Sequence, residues 1–277
     1  MALAGAVAAG GCGGGGGAAE STAPDVETIV TAADEGGVLL FGSPGPSTGL
    51  DEDRCRPHVP GSEPFTPPGY DAAQIEALRS RVPANPPAPL PGDPYADPSL
   101  VPADTSGVCA VLAEPDGSGG YLLETFADEA AARDAGGVVT HTGACGVCSP
   151  LQDLAVYLAD PDLGEPVRQC ALRSLGGNDR AALECIMDLG FSEPCAQIWA
   201  FNAANTRSAC LDVCLAALDD PYHLPDGSLN ACLACDEEQS GPVFKAVAGR
   251  TRRNSGIPVA ICRPPEQVSA LRHDAYP

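Results

Sequence analysis

Cysteine placement constrains this chain more than any other feature. Ten of its 13 cysteines, from Cys145 to Cys262, fall in the second half. At that density, a domain of modest core is held by covalent staples, which form and persist in oxidising compartments. Two close pairs stand out, Cys145-Gly146-Val147-Cys148 and Cys232-Leu233-Ala234-Cys235. The first is open to three readings: redox pair, metal ligands shared with the second pair, or ends of structural disulfides. The structural reading is the default here.

The first residues agree with export. MALAGAVAAGGC is a short run of small apolar residues ending at Cys12 and followed by glycines. It resembles a bacterial lipoprotein signal, which implies lipidation of Cys12 and a flexible tether. Twelve cysteines then remain, an even number that permits complete pairing. We expect an extracytoplasmic protein, in the periplasm or at the cell surface, that meets the membrane only through its lipid anchor. Net charge is −22, which excludes binding nucleic acid by phosphate neutralisation.

Composition divides the chain into three parts: 1–12 signal, 13–106 Gly/Pro-rich tether and arm, and 107–277 folded domain. The arm is richest in proline between Pro57 and Pro102, where missing N–H donors disfavour helix and sheet. A short helix is expected from Asp71, and Cys55 is expected to pin the arm to the body. From Gly107, GVCAVLAE and GYLLETF read as strands joined by a turn, followed by a helix capped by Asp128 and a third strand, GVVTHT. That order suggests a βαβ-like unit. Ser149 is the expected N-cap of the next helix, with Pro150 at its first position. Further helices follow, the last being GPVFKAVAGRTRRNSG from Gly241, closed by Gly256, and IPVAICR reads as a last strand. The expected fold is α+β: a three- to four-stranded sheet with a disulfide-stapled helical region and a Pro-rich N-terminal arm. Trp199, Phe201 and Leu211 are expected in its core.

Spacing suggests two bridges. Cys185 and Cys195 flank the turn near position 190, and Cys170 and Cys210 lie farther out with the same index sum, 380. In an antiparallel hairpin, residues with equal index sums face each other, so Cys185–Cys195 and Cys170–Cys210 are the expected pairs. Cys210 and Cys214, one helical turn apart, should bond to different partners.

Two constellations could carry chemistry. VVTHTGACGVC, ahead of a helix, resembles the active site of the thioredoxin superfamily, and Pro258 in SGIPVAIC is similar in place to that family's cis-proline. The resemblance implies thiol–disulfide exchange, with Cys145 attacking, Cys148 resolving and Pro258 lining the substrate groove. This is the alternative to a binding or scaffold domain, so enzymatic activity stays open. The second constellation is basic: Lys245, Arg250, Arg252, Arg253 and Arg263 within 19 positions. Arginine pairs bidentately with carboxylates, so Arg250, Arg252, Arg253 and Arg263 are candidates for an anionic ligand or partner. The competing reading pairs them with Asp236, Glu237 and Glu238. Hydrolase, phosphate-loop and dinucleotide motifs are absent. No metal site or cofactor is expected.

Overall fold

The structure, a computed structural model, describes residues 39–57, 66–115, 119–173 and 178–277. Cys12, the signal and the start of the tether lie outside the described residues. Val38–Pro277 forms one compact unit, so the arm from residue 39 belongs to the folded body.

The arm holds two short helices, α1 (Glu52–Cys55) and α2 (Ala72–Arg79). Asp71 and Gln74 close α2 with a reciprocal capping box. Beyond it the proline-rich chain is fixed by polar groups of the body. Asn85 exchanges two 2.9 Å hydrogen bonds with the Leu123 backbone. The Leu90 N–H donates to Gln197 Oε1 at 2.7 Å, and the Tyr95 hydroxyl meets both Asn202 and the Ser240 carbonyl at 2.9 Å. Proline-rich backbone lacks donors for a ladder, and these side-chain contacts replace one.

The sheet has three strands, β1 (Val108–Ala113), β2 (Tyr121–Phe126) and β3 (Val138–Thr142), in the order β2-β1-β3. Both neighbours run antiparallel to β1. The helix between β2 and β3, α3 (Glu129–Asp134), is capped by Asp128 as expected. It therefore joins two strands that are parallel to each other but separated by β1, a βαβ crossover with a strand inserted.

Then follow α4 (Leu151–Ala159), α5 (Gly164–Leu172), α6 (Asp179–Asp188), α7 (Glu193–Ala216), α8 (Ala231–Gln239) and α9 (Gly241–Ala248). The core lies between the β1–β2 face and these helices, with α4 at its centre: Leu151, Leu154 and Ala155 are fully buried. Trp199 joins Tyr157, Phe191 and Phe244 in an aromatic cluster. Phe201 is partly buried, but Leu211 is 48% exposed.

Three local expectations are corrected. IPVAICR forms no strand, only a single bridge of Arg263 with Phe41; Pro258 therefore precedes no strand. Ser149 does not cap α4, whose N-cap is Pro150; its first N–H, on Leu151, is satisfied by the buried Tyr121 hydroxyl at 2.8 Å. The expected helix from 241 ends at Ala248, because Gly249 takes φ +70°.

Candidate functional site

Six disulfides pair all twelve cysteines from Cys55 to Cys262: Cys55–Cys262, Cys109–Cys145, Cys148–Cys195, Cys170–Cys185, Cys210–Cys235 and Cys214–Cys232. Cys55 does pin the arm, to Cys262. The pairs Cys185–Cys195 and Cys170–Cys210 do not form. Cys185 instead faces Cys170 across the α5–α6 pair. Cys195, at the start of α7, is left to reach Cys148. Equal index sums do operate one hairpin later. Across α7 and α8, the pairs 210/235 and 214/232 sum to 445 and 446, and Cys210 and Cys214 take different partners.

Cys145 and Cys148 are bonded to Cys109 and Cys195, not to each other. Cys148 is fully buried. Thiol–disulfide exchange through this pair needs a mutual bond or an accessible thiolate, and the structure provides neither. The motif serves packing instead. Val147 and Cys148 donate to the carbonyls of Val247 and Ala248 at 3.0 and 2.9 Å. A Cβ on Gly146 would stand 2.5 Å from the Val247 carbonyl oxygen, and one on Gly249 would stand 2.4 Å from the Gly146 nitrogen. Two glycines let two backbones cross at close range.

Beneath this crossing lies Arg250, fully buried. Its Nε donates to the Cys148 carbonyl at 3.0 Å. Nη1 donates to the Thr140 carbonyl and Ser255 Oγ, and Nη2 to Thr140 Oγ1 and the Ser149 carbonyl, at 2.7–3.2 Å. All five donors are used on neutral acceptors, so Arg250 joins β3, the CGVC loop and the C-terminal segment. Burial lowers its pKa. Two neutral histidines flank it. His141 Nδ1 lies 3.0 Å from the Thr142 carbonyl and Nε2 lies 2.7 Å from Ser149 Oγ. His273 lies between the Tyr276 hydroxyl at 2.5 Å and the Ser255 carbonyl at 2.8 Å. Ser149 and His141 have the contact of a nucleophile and its base, but both are 0% exposed, so no substrate reaches them.

Arg252 also turns inward. Its guanidinium donates to the carbonyls of Tyr157, Pro258 and Asp160 and lies over the Tyr157 ring. Pro258 thus contributes a carbonyl to a structural clamp, not a wall to a groove. Only Arg253 and Arg263 remain of the predicted arginines, and both converge with Lys245 on Glu237. Arg263 and Lys245 approach it at 2.6 and 2.7 Å, Arg253 at 3.2 Å. Burial pushes the Glu237 carboxyl up, but Arg263, Lys245 and Arg253 outweigh that and hold it at about 2. The predicted patch is therefore one buried and one half-buried structural arginine and a three-cation, one-carboxylate cluster. Glu237, named in sequence only as a pairing partner, is its centre.

Beside the cluster opens a hollow of about 290 Å³ that Lys245 and Arg253 share with Thr142, Asn254, Gln267 and Ser269. Glu266 stands at its edge. Asn254 fixes the floor by donating to the carbonyls of Thr142 and Gly249, both at 2.7 Å. Among the described residues, no group of His, Cys, Asp and Glu is placed to hold a metal ion.

Residues 179–271 match a family of unknown function, DUF8771. The matched span runs from the start of α6 through the whole Glu237 cluster and both α7–α8 disulfides. The Cys145–Cys148 loop and the sheet lie outside it. Among curated proteins and among solved structures, nothing matches the chain. The six bridges are consistent with an oxidising environment outside the cytoplasm, and among the described residues no helix is long and apolar enough to cross a membrane.

Proposed function

We propose that the protein is an exported, lipid-anchored binding module that presents a disulfide-stapled surface to an anionic ligand or a partner's carboxylate. The observation that carries this reading is the Glu237 cluster. In a chain of net charge −22, three cations gather on one carboxylate next to an open polar hollow. A carboxylate entering the hollow would meet Lys245 and Arg253 together with the Thr142 and Ser269 hydroxyls. Pairing of all twelve cysteines among the described residues supports a scaffold role, since it leaves no thiol there for exchange chemistry.

The ligand test is calorimetric titration with an acetylated oligoglutamate peptide. Binding should weaken about a hundredfold in Lys245→Ala/Arg253→Ala, each lost charge-assisted contact being worth roughly 1.5 kcal/mol. Equal binding by parent and variant would refute the site. Anchoring is tested by mass spectrometry of the membrane-fraction protein: a diacylglycerol thioether on Cys12 is expected, and an unmodified Cys12 would refute it.

A further inference from the structure

The α7–α8 hairpin is built unlike the rest of the molecule. No residue of α8 is buried. In α7 beyond Ser208, only Cys210 is. The two helices are held by Cys210–Cys235 and Cys214–Cys232 and by polar contacts of Asn205 and Thr206 with the end of α8. Covalent bonds replace an apolar seam here, and three leucines of α7 and its closing turn are turned to solvent. Leu211 and Leu215 lie one turn apart on the same face of α7, and Leu218 follows in the closing turn; they are 48%, 56% and 60% exposed.

Charge selects what covers this stripe. Asp212, Asp219 and Asp220 border it, all exposed, and none forms an ion pair among the described residues. From Ser208 to Phe244 the chain has no lysine or arginine, and Arg207 is directed to the Ala171 carbonyl of α5. An anionic bilayer and a second copy of this acidic face would both be repelled. A helix with one apolar face and cationic flanks is complementary in both respects. We infer that the outer face of the α7–α8 hairpin is a docking surface for a cationic amphipathic helix of a partner protein. The stripe from Leu211 to Asp220 shares no residue with the lining of the hollow beside Glu237, so either proposal can fail without the other.

The test uses the full chain and a fluorescent leucine/lysine peptide of about 18 residues, long enough for an amphipathic helix of several turns, at about 0.15 M salt. A lysine/serine peptide of the same charge is the control. The leucine/lysine peptide should bind at least tenfold more tightly than the control. L211S/L215S/L218S should remove that advantage, and D212N/D219N/D220N should reduce affinity and flatten its salt dependence. In the unaltered protein, the peptide should slow amide exchange within residues 208–218. Equal binding of the two peptides, or protection confined to other segments, overturns the proposal. A parent dimer made monomeric by L215S overturns it in favour of a second copy. Leucine-dependent pelleting with phosphatidylglycerol vesicles overturns it in favour of lipid.

Discussion

Arg250 shows how one residue can hold several elements together. A buried guanidinium with no carboxylate against it is tolerated only because every donor finds an acceptor. Those acceptors are the carbonyls and hydroxyls that β3, the CGVC loop and the 251–255 turn cannot satisfy among themselves. Replacing Arg250 with methionine keeps some volume but strands the carbonyls of Thr140, Cys148 and Ser149. We expect a loss of about 3 kcal/mol or more, read as a fall in the urea midpoint. Gly249 is equally committed. Its φ of +70° and the 2.4 Å approach of its would-be Cβ to Gly146 make Gly249→Ala destabilising by about 2 kcal/mol or more. An unchanged melting temperature would mean that the two backbones do not cross as described.

At the scale of elements, disulfides do different work in different places. Cys148–Cys195 crosses a buried region where Leu151, Ile198 and Ala196 already pack, so it adds to an existing core. Cys214–Cys232 joins helices with no apolar seam between them. Its loop of 18 residues corresponds to about 3 kcal/mol of chain entropy removed from the unfolded state. Cys214→Ser/Cys232→Ser should therefore loosen α8 locally. Hydrogen exchange in residues 231–239 should accelerate strongly, while β1 and α4 stay protected. Uniform acceleration across the chain would show that the hairpin is integral to global stability.

For the whole molecule, buried titratable groups set a pH dependence. Desolvation lowers the pKa of His141, His223 and His273, the last to about 4. His223 is fixed neutral by the Gly227 carbonyl at Nδ1 and the Cys262 N–H at Nε2. Below the ordinary histidine pKa near 6.5 the unfolded chain takes up protons that the folded one refuses. The stability these residues contribute above pH 6.5 is thus lost as pH falls toward 4. Asp153 opposes them. Burial, against two hydrogen bonds from Ser192 and the charge of Arg250, raises its pKa to about 7, so its contribution is present at low pH and lost as pH rises from 4 to 7. Asp236, raised mainly by desolvation, acts in the same sense. Glu237, held at about 2, acts in the same sense as the three histidines, and together they outweigh the two raised carboxyls, so we expect a net loss of stability as pH falls from 6.5 to 4. Asp153→Asn should steepen that loss. Urea midpoints across the window check both signs.

How much of this was legible beforehand follows from the range of each interaction. Local signals were sufficient for local structure. The short helix near Asp71, the Asp128 cap, the three strands and the even set of cysteines each depend on a few neighbouring residues, and each is found. Non-local pairings were not recoverable. Whether Cys185 faces Cys170 or Cys195 depends on how the helices pack, and spacing cannot rank the two pairings. Whether Arg250 points out or in depends on carbonyls about a hundred residues away. The same holds for the CGVC motif: in sequence it resembles a reactive site, and only the packing of α9 against Gly146 makes it a close backbone crossing. Sequence alone determined an oxidised, stapled α+β body with one basic segment. The tertiary structure decided which cysteines meet, which cations remain at the surface and which leucines are left in water, because these depend on long-range packing.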